Sequence, residues 1–159
     1  MGLDQYLTAR RYYSDASWNG DDPAGKDFNQ LLEVVDGKKI VNPTSSFRYM
    51  NVSIDVGQWR KANHIHAWFV DNVQSGEDNC GTYDVSREDL EQLLKLCKEV
   101  LKDPTKAADL LPTRNGFFFG SDEYSEYYFG DIEHTVDIIE RVLKECEGHT
   151  WSFQYSSSW

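Results

Sequence analysis

Residues 47–73 read FRYMNVSIDVGQWRKANHIHAWFVDNV, and the spacing of their apolar positions changes once along the way. In 47–56, Met50, Val52, Ile54 and Val56 alternate with Tyr49, Asn51 and Ser53, the period of a half-buried strand. After Gly57 the spacing turns helical and continues to about Val73. At ~100° per residue one stripe collects Trp59, Ala62, His66, Phe69, Val70 and Val73. A strand running into a helix sets the frame for the flanking segments.

Upstream, residues 3–13 read as a strand in which Tyr6, Leu7, Tyr12 and Tyr13 supply β-favouring bulk. SDASWNGDDPAG at 14–25 is a loop by composition, and a short helical stretch around 26–35 leads to the turn Asp36-Gly37. Downstream, QSGEDNCG at 74–81 is a loop. Ser86 with Asp89 three residues on predicts a capping box and a helix whose stripe is Leu90, Leu93, Leu94, Cys97 and Leu101. Asp103-Pro104 closes that helix, and Leu111-Pro112 bounds a short one after it. GFFFG at 116–120 is a buried strand or a packed loop. Ser121 suits a helix cap, with Asp122 and Glu123 in the first turn. A helix then spans about Asp131 to Cys146, turning Ile132, Val136, Ile139 and Leu143 inward. At 150–155, Trp151, Phe153 and Tyr155 alternate with Thr150, Ser152 and Gln154 in a closing strand. The sum is an α+β fold, an antiparallel sheet packed against two to three longer helices, with residues 1–159 as a single domain.

Composition narrows the function classes. The aromatic set of 5 Trp, 9 Tyr and 8 Phe suits a packed core rather than a disordered chain. No apolar run is long enough to span a membrane. The opening MGLDQYLTARRYY is charged where a signal peptide needs an apolar stretch, so a cytoplasmic chain is expected. Cys80, Cys97 and Cys146 are odd in number and form no Cys-x-x-Cys pair, which is cytosolic usage. The net charge of −11 disfavours direct nucleic-acid binding. Residues 121–147 alone hold nine carboxylates against Arg141 and Lys144, whereas 41–70 carry Arg48, Arg60 and Lys61 against Asp55. A small anionic ligand suits that local basic spot.

Chemistry concentrates in the predicted helix at 57–73. His66 sits in the middle of its apolar stripe and Asn63 on its edge beside Trp59, so both need hydrogen bonds from the interior or from a ligand. Arg60, His64 and Asp71 share another side, and Lys61 and Trp68 a further flank, so the helix is expected to be covered on more than one side. These groups suit a phosphate and a stacked base, and equally a buried structural network. Metal chelation is not expected. His64 and His66, two apart, point about 200° away from each other on a helix, and His134 and His149 lack companions. Cys80 has no nucleophile signature around it, and no phosphate-loop, dinucleotide or Gly-x-Ser-x-Gly pattern occurs. Neither a cofactor nor a catalytic residue is assigned. Tyr124, Tyr127 and Tyr128, at i, i+3 and i+4 with Glu123 and Glu126 beside them, wall a pocket, make an interface, or pack under Phe117–Phe119.

The opening MGLDQYL, the string WRKANHIHAWFVDNVQSGEDNCGTYDVSREDLEQLL at 59–94 and LPTRNGFFFGSDEYSEYYF at 111–129 resemble an uncharacterised family of small bacteriophage and prophage proteins. The resemblance covers about two-thirds of the chain and carries no activity with it. It implies a phage-type accessory protein acting in the host bacterial cytoplasm, with counter-defence as one association.

Three functional readings follow. The first is a binding protein that captures a small anionic or nucleotide-like ligand without chemistry, using Trp59, Arg60, Lys61, Asn63, His64 and His66 with Tyr124 and Tyr127. The second is an acidic inhibitor of a nucleic-acid-binding or defence protein of the host, in the limit a DNA mimic, docking through Glu123, Glu126, Asp131, Glu133 and Asp137. The third, ranked last, is a small hydrolase with His64 or His66 as general base beside Glu123 or Asp71. So aromatic a surface also suits homo-oligomerisation, without marking the face.

Overall fold

The computed structural model describes residues 2–14, 31, 34, 49–116, 120–147 and 150–159. The loop expected from residue 15 on, the Asp36-Gly37 turn, Arg48, Phe117–Phe119 and His149 lie outside the described residues, as does most of the helical stretch around 26–35. The chain divides into two compact units, Met1–Ala9 with Ile54–Trp159, and Arg10–Ser53.

Among the described residues the strands are β1 (Asp4–Ser14), β2 (Tyr49–Arg60), β3 (Thr82–Val85) and β4 (Trp151–Ser158). The helices are α1 (Asn63–Asn72), α2 (Arg87–Lys102), the short α3 (Ala107–Leu110) and α4 (Glu126–Glu145), with a 3-10 turn at Pro104–Lys106. The strands form one antiparallel sheet in the order β2-β1-β4-β3, which with the helices makes the α+β fold expected. The β3–β4 register sets Tyr83 opposite Tyr155 and Val85 opposite Phe153. No helix among the described residues is long and apolar enough to cross a membrane.

The core of the larger unit takes alternate residues from the strands and stripes from the helices. Leu7 and Ala9 of β1, Trp59 of β2 and Phe153 and Tyr155 of β4 are buried with Leu90, Leu93, Cys97 and Val100 of α2. Ile65, Trp68 and Phe69 of α1 and Ile132, Ile138, Ile139 and Val142 of α4 belong to the same cluster. The capping box on α2 forms as expected, Ser86 Oγ accepting from the Asp89 backbone N–H at 3.0 Å. Arg87, at the start of α2, donates to the carbonyls of Leu143 and Cys146 at 2.7 and 3.1 Å. It thereby satisfies orphan acceptors at the negative end of α4, and the two helices run antiparallel. In the smaller unit, Tyr13 packs with Leu31, Met50 and Val52, and the rings of Tyr12 and Tyr49 stack at 5.8 Å.

Several expected boundaries move. The strand expected to stop before Gly57 continues to Arg60, because Gly57 and Trp59 are buried while Gln58 and Arg60 are exposed. Its burial phase slips by one residue between Val56 and Gly57, and Ile54, expected inward, is exposed. The helix therefore begins at Asn63 rather than after Gly57, and Trp59 and Arg60 are strand residues. Asn63 through Val70 are all buried, so α1 meets solvent only at its end, from Asp71 on, and Trp68 is only 6% exposed. The expectation of cover on more than one side holds in that stronger form. Strand β3 was not expected, since its four residues carry one buried side chain. Finally, α4 begins at Glu126 after Ser125, not near Asp131, and Ser121 caps no helix. Its Oγ instead accepts from Glu123 N at 3.1 Å.

Candidate functional site

Successive residues of a strand point to opposite faces, so Arg60 and Lys61 would diverge if β2 simply continued. They do not. Lys61 N–H donates to Leu3 O at 2.7 Å, the last rung beside β1, and Lys61 then takes a left-handed φ of 62°. That turn starts α1 two residues later and leaves Arg60, Lys61, Asn63 and His64 along one cavity of about 430 Å³. Gly120 closes against the same turn. Its φ is 94°, and a Cβ there would stand 2.9 Å from Lys61 O, so the two backbones meet where no side chain fits. A left-handed lysine is costly by about 1–2 kcal/mol, a strain of the kind that collects at binding sites.

The rest of the lining comes from the segment leading into α4 and from its first turns, with Ser121, Glu123, Ser125, Tyr127, Tyr128 and Asp131. Asn63 ties the two halves together. Its Nδ2 donates to Ser121 O at 2.8 Å and its Oδ1 accepts from Arg114 N at 3.0 Å. Arg114 Nη2 in turn donates to both Asp71 carboxylate oxygens at 2.9 Å, so Asp71 pairs with Arg114 and not with Arg60 or His64.

His64 is 3% exposed, and its ring lies 4.2 Å from that of Tyr128, whose hydroxyl donates to Leu111 O at 2.8 Å. His64 Nε2 has no hydrogen-bond partner among the described residues. Leaving a buried polar atom so costs about 1–3 kcal/mol, and it does so in a residue that lines the cavity. Burial pushes the imidazole down to about 3, so it is neutral at physiological pH. Burial also pushes the Asp131 carboxyl up to about 6, against a smaller opposing effect of His134. Arg60 stays accessible, with a side chain 74% exposed and only a loose 3.7 Å approach to Asp4.

Of the expected ligand residues, Arg60, Lys61, Asn63, His64 and Tyr127 share this cavity, and Trp59, His66 and Tyr124 do not line it. Trp59 is in the core, donating to Thr135 Oγ1 at 2.9 Å. His66 is buried on the other side of α1, with Nδ1 2.7 Å from the Tyr155 hydroxyl and Nε2 3.1 Å from Asp78. Tyr124 packs edge-on against Tyr128. Of the carboxylates expected at an interface, Glu123 and Asp131 line the cavity, while Glu126, Glu133 and Asp137 stand exposed along α4. Gly120, Ser121 and Ser125 were not foreseen in the lining, whereas Tyr128, one of the three tyrosines for which a pocket wall was one of the readings, does line it. Tyr128 was legible as the start of the buried row Tyr128, Ile132, Thr135, Ile139, Val142 on α4. Among the described residues no group of three or more His, Cys, Asp or Glu is placed to hold a metal. A base whose conjugate acid has a pKa of about 3 is too weak to take a proton near neutrality, so His64 suits hydrogen bonding rather than general-base chemistry.

Comparison of the chain with protein-family models, with curated proteins and with solved structures gives no match.

Proposed function

We propose that this protein is a binding protein that captures a small anionic, nucleotide-like ligand in the cavity beneath Arg60 and Lys61, and holds it without chemistry. The observation that carries the reading is the joining of two adjacent cations by the left-handed turn at Lys61, over a buried imidazole nitrogen that has no partner among the described residues. The guanidinium and ammonium supply charge-assisted hydrogen bonds, and the Tyr127 ring, 87% exposed, supplies an aromatic face. The phage-type resemblance supplies the setting. In a host bacterial cytoplasm, removal of a signalling nucleotide is one use of such capture.

Native mass spectrometry of protein purified gently from bacterial lysate, compared with the R60A/K61A variant, tests the reading. The expected result is a bound small molecule of defined mass on the parent chain and its loss from a folded R60A/K61A variant. A folded variant that retains the same ligand at the same occupancy overturns it.

A second reading rests on Glu126, Glu133 and Asp137, which are exposed together on α4. An acidic face of that kind docks on a basic host protein. Its affinity should fall steeply between low and physiological salt.

A further inference from the structure

The charges and hydrogen-bonding groups around the cavity restrict the ligand further. Two cations, Arg60 and Lys61, share it with two carboxylates, Glu123 and Asp131. A single phosphate carries roughly two negative charges near neutral pH and is balanced by the cationic pair. Each further phosphate would add charge that those side chains do not match and the carboxylates repel. The volume, about 430 Å³, falls in the range of small-molecule sites, roughly 300–1,000 Å³.

The second half of the site is built to read a polar edge. Tyr127 and Asp131 are four apart on α4, so the ring and the carboxyl lie on one face of the helix. A flat heterocycle stacked on Tyr127 therefore brings its edge within reach of Asp131. A carboxylate accepts paired N–H groups from such an edge, and it has nothing to accept from a sugar or a phosphate but hydroxyls. His64, which lines the same cavity, adds a buried nitrogen without a partner among the described residues, and its ring is backed by Tyr128.

From these features, and resting on the proposed capture of an anion at Arg60 and Lys61, we infer that the ligand is a nucleoside monophosphate whose base offers N–H donors to Asp131 while His64 Nε2 meets a further polar atom. Guanine fits the carboxylate best, because its ring N–H and exocyclic amino group lie side by side and can be accepted together.

Isothermal titration calorimetry with GMP, AMP, UMP, GTP and inorganic phosphate tests this on the parent chain and on the single variants H64F and D131N. H64F keeps an aromatic ring against Tyr128 and removes both nitrogens, with a somewhat larger ring. D131N, on a half-buried position, remains informative should H64F fail to fold. GMP is expected to bind at least about tenfold tighter than GTP and UMP, with AMP between. Each variant is expected to weaken GMP by about tenfold or more without weakening inorganic phosphate. GTP binding as tightly as GMP overturns the single-phosphate inference, and GMP affinity that ignores D131N overturns the base contact. If no nucleotide binds but native mass spectrometry still shows a different anion lost in R60A/K61A, the ligand class falls and the capture reading stands. If the parent chain binds no anion in either experiment, both fall.

Discussion

Asn63 holds the Ser121 carbonyl at 2.8 Å with one end of its amide and accepts from the Arg114 N–H at 3.0 Å with the other. One side chain on α1 thus fixes two points of the segment that brings Gly120, Glu123 and Asp131 to the cavity. The arrangement needs a donor and an acceptor in one planar group, which an amide has and a carboxylate lacks. N63D should keep the Arg114 bond and set an oxygen against the Ser121 carbonyl, costing about 1–3 kcal/mol in urea unfolding. An unchanged midpoint would show that the segment is held by other means.

Gly57 lies between β1 and α4, where an added Cβ would stand 2.7 Å from Ile138 Cγ2 and 3.3 Å from Leu7 Cβ. G57A should therefore destabilise by about 1–3 kcal/mol through overpacking. Because the clash is with a side chain, the double variant G57A/I138A should lose less than the sum of the two single losses. Additive losses, measured by denaturant unfolding, would place the strain elsewhere.

The left-handed turn at Lys61 predicts a separation of stability from binding. K61G should be more stable than the parent by about 1 kcal/mol, since glycine adopts a positive φ without steric cost. K61A should gain nothing, because alanine keeps the Cβ that makes the conformation costly. Both should lose ligand. Thermal unfolding alongside native mass spectrometry separates these outcomes, and a K61G variant that is both more stable and fully occupied contradicts the role given to the ammonium.

His64 and Asp131 pull pH dependence in opposite directions. The imidazole titrates near 3 when folded and 6.5 in an ordinary setting, so the unfolded chain gains the proton first and stability falls as pH drops from 6.5 towards 3. The Asp131 carboxyl titrates near 6 when folded and 3.8 otherwise, so stability falls as pH rises from 3.8 to 6. Across that shared window the two oppose each other. Urea midpoints should thus lose stability more steeply on acidification in D131N than in the parent, and less steeply in H64F. The same slope in all three chains would mean neither group is perturbed by burial.

Periodicity made much of this fold readable, and its failures are local and physical. The stripes of α2 and α4, the capping box at Ser86 and the alternation of β4 all follow from burial on one side of an element. Around Trp59 that logic breaks down. WRKANHIHAWF fits a helix stripe, but a strand buries the same Trp59, and nothing local announces that Lys61 will adopt a positive φ. Arg60, Lys61, Asn63 and His64 were visible as a group because they are contiguous. Gly120, Ser125 and Asp131 join them only through tertiary packing, and Asp131 looked like one more surface acid on an acidic helix. His66 needed a partner, and which partner depended on Tyr155, 89 positions away.

The sheet order has a consequence for synthesis. β4 comes after every other described element along the chain yet lies inside the sheet, between β1 and β3. While it is still within the ribosome, β1 and β2 can meet but β3 has no neighbour among the described strands, and Leu7, Phe69 and Leu90 lack the Phe153 and Tyr155 layer they share in the finished core. The emerging polypeptide must therefore wait, with apolar surface uncovered, until β4 slots between neighbours made long before. Such long-range closure is slow compared with local helix formation. A nascent chain stalled before residue 151 is thus the species most in need of a chaperone.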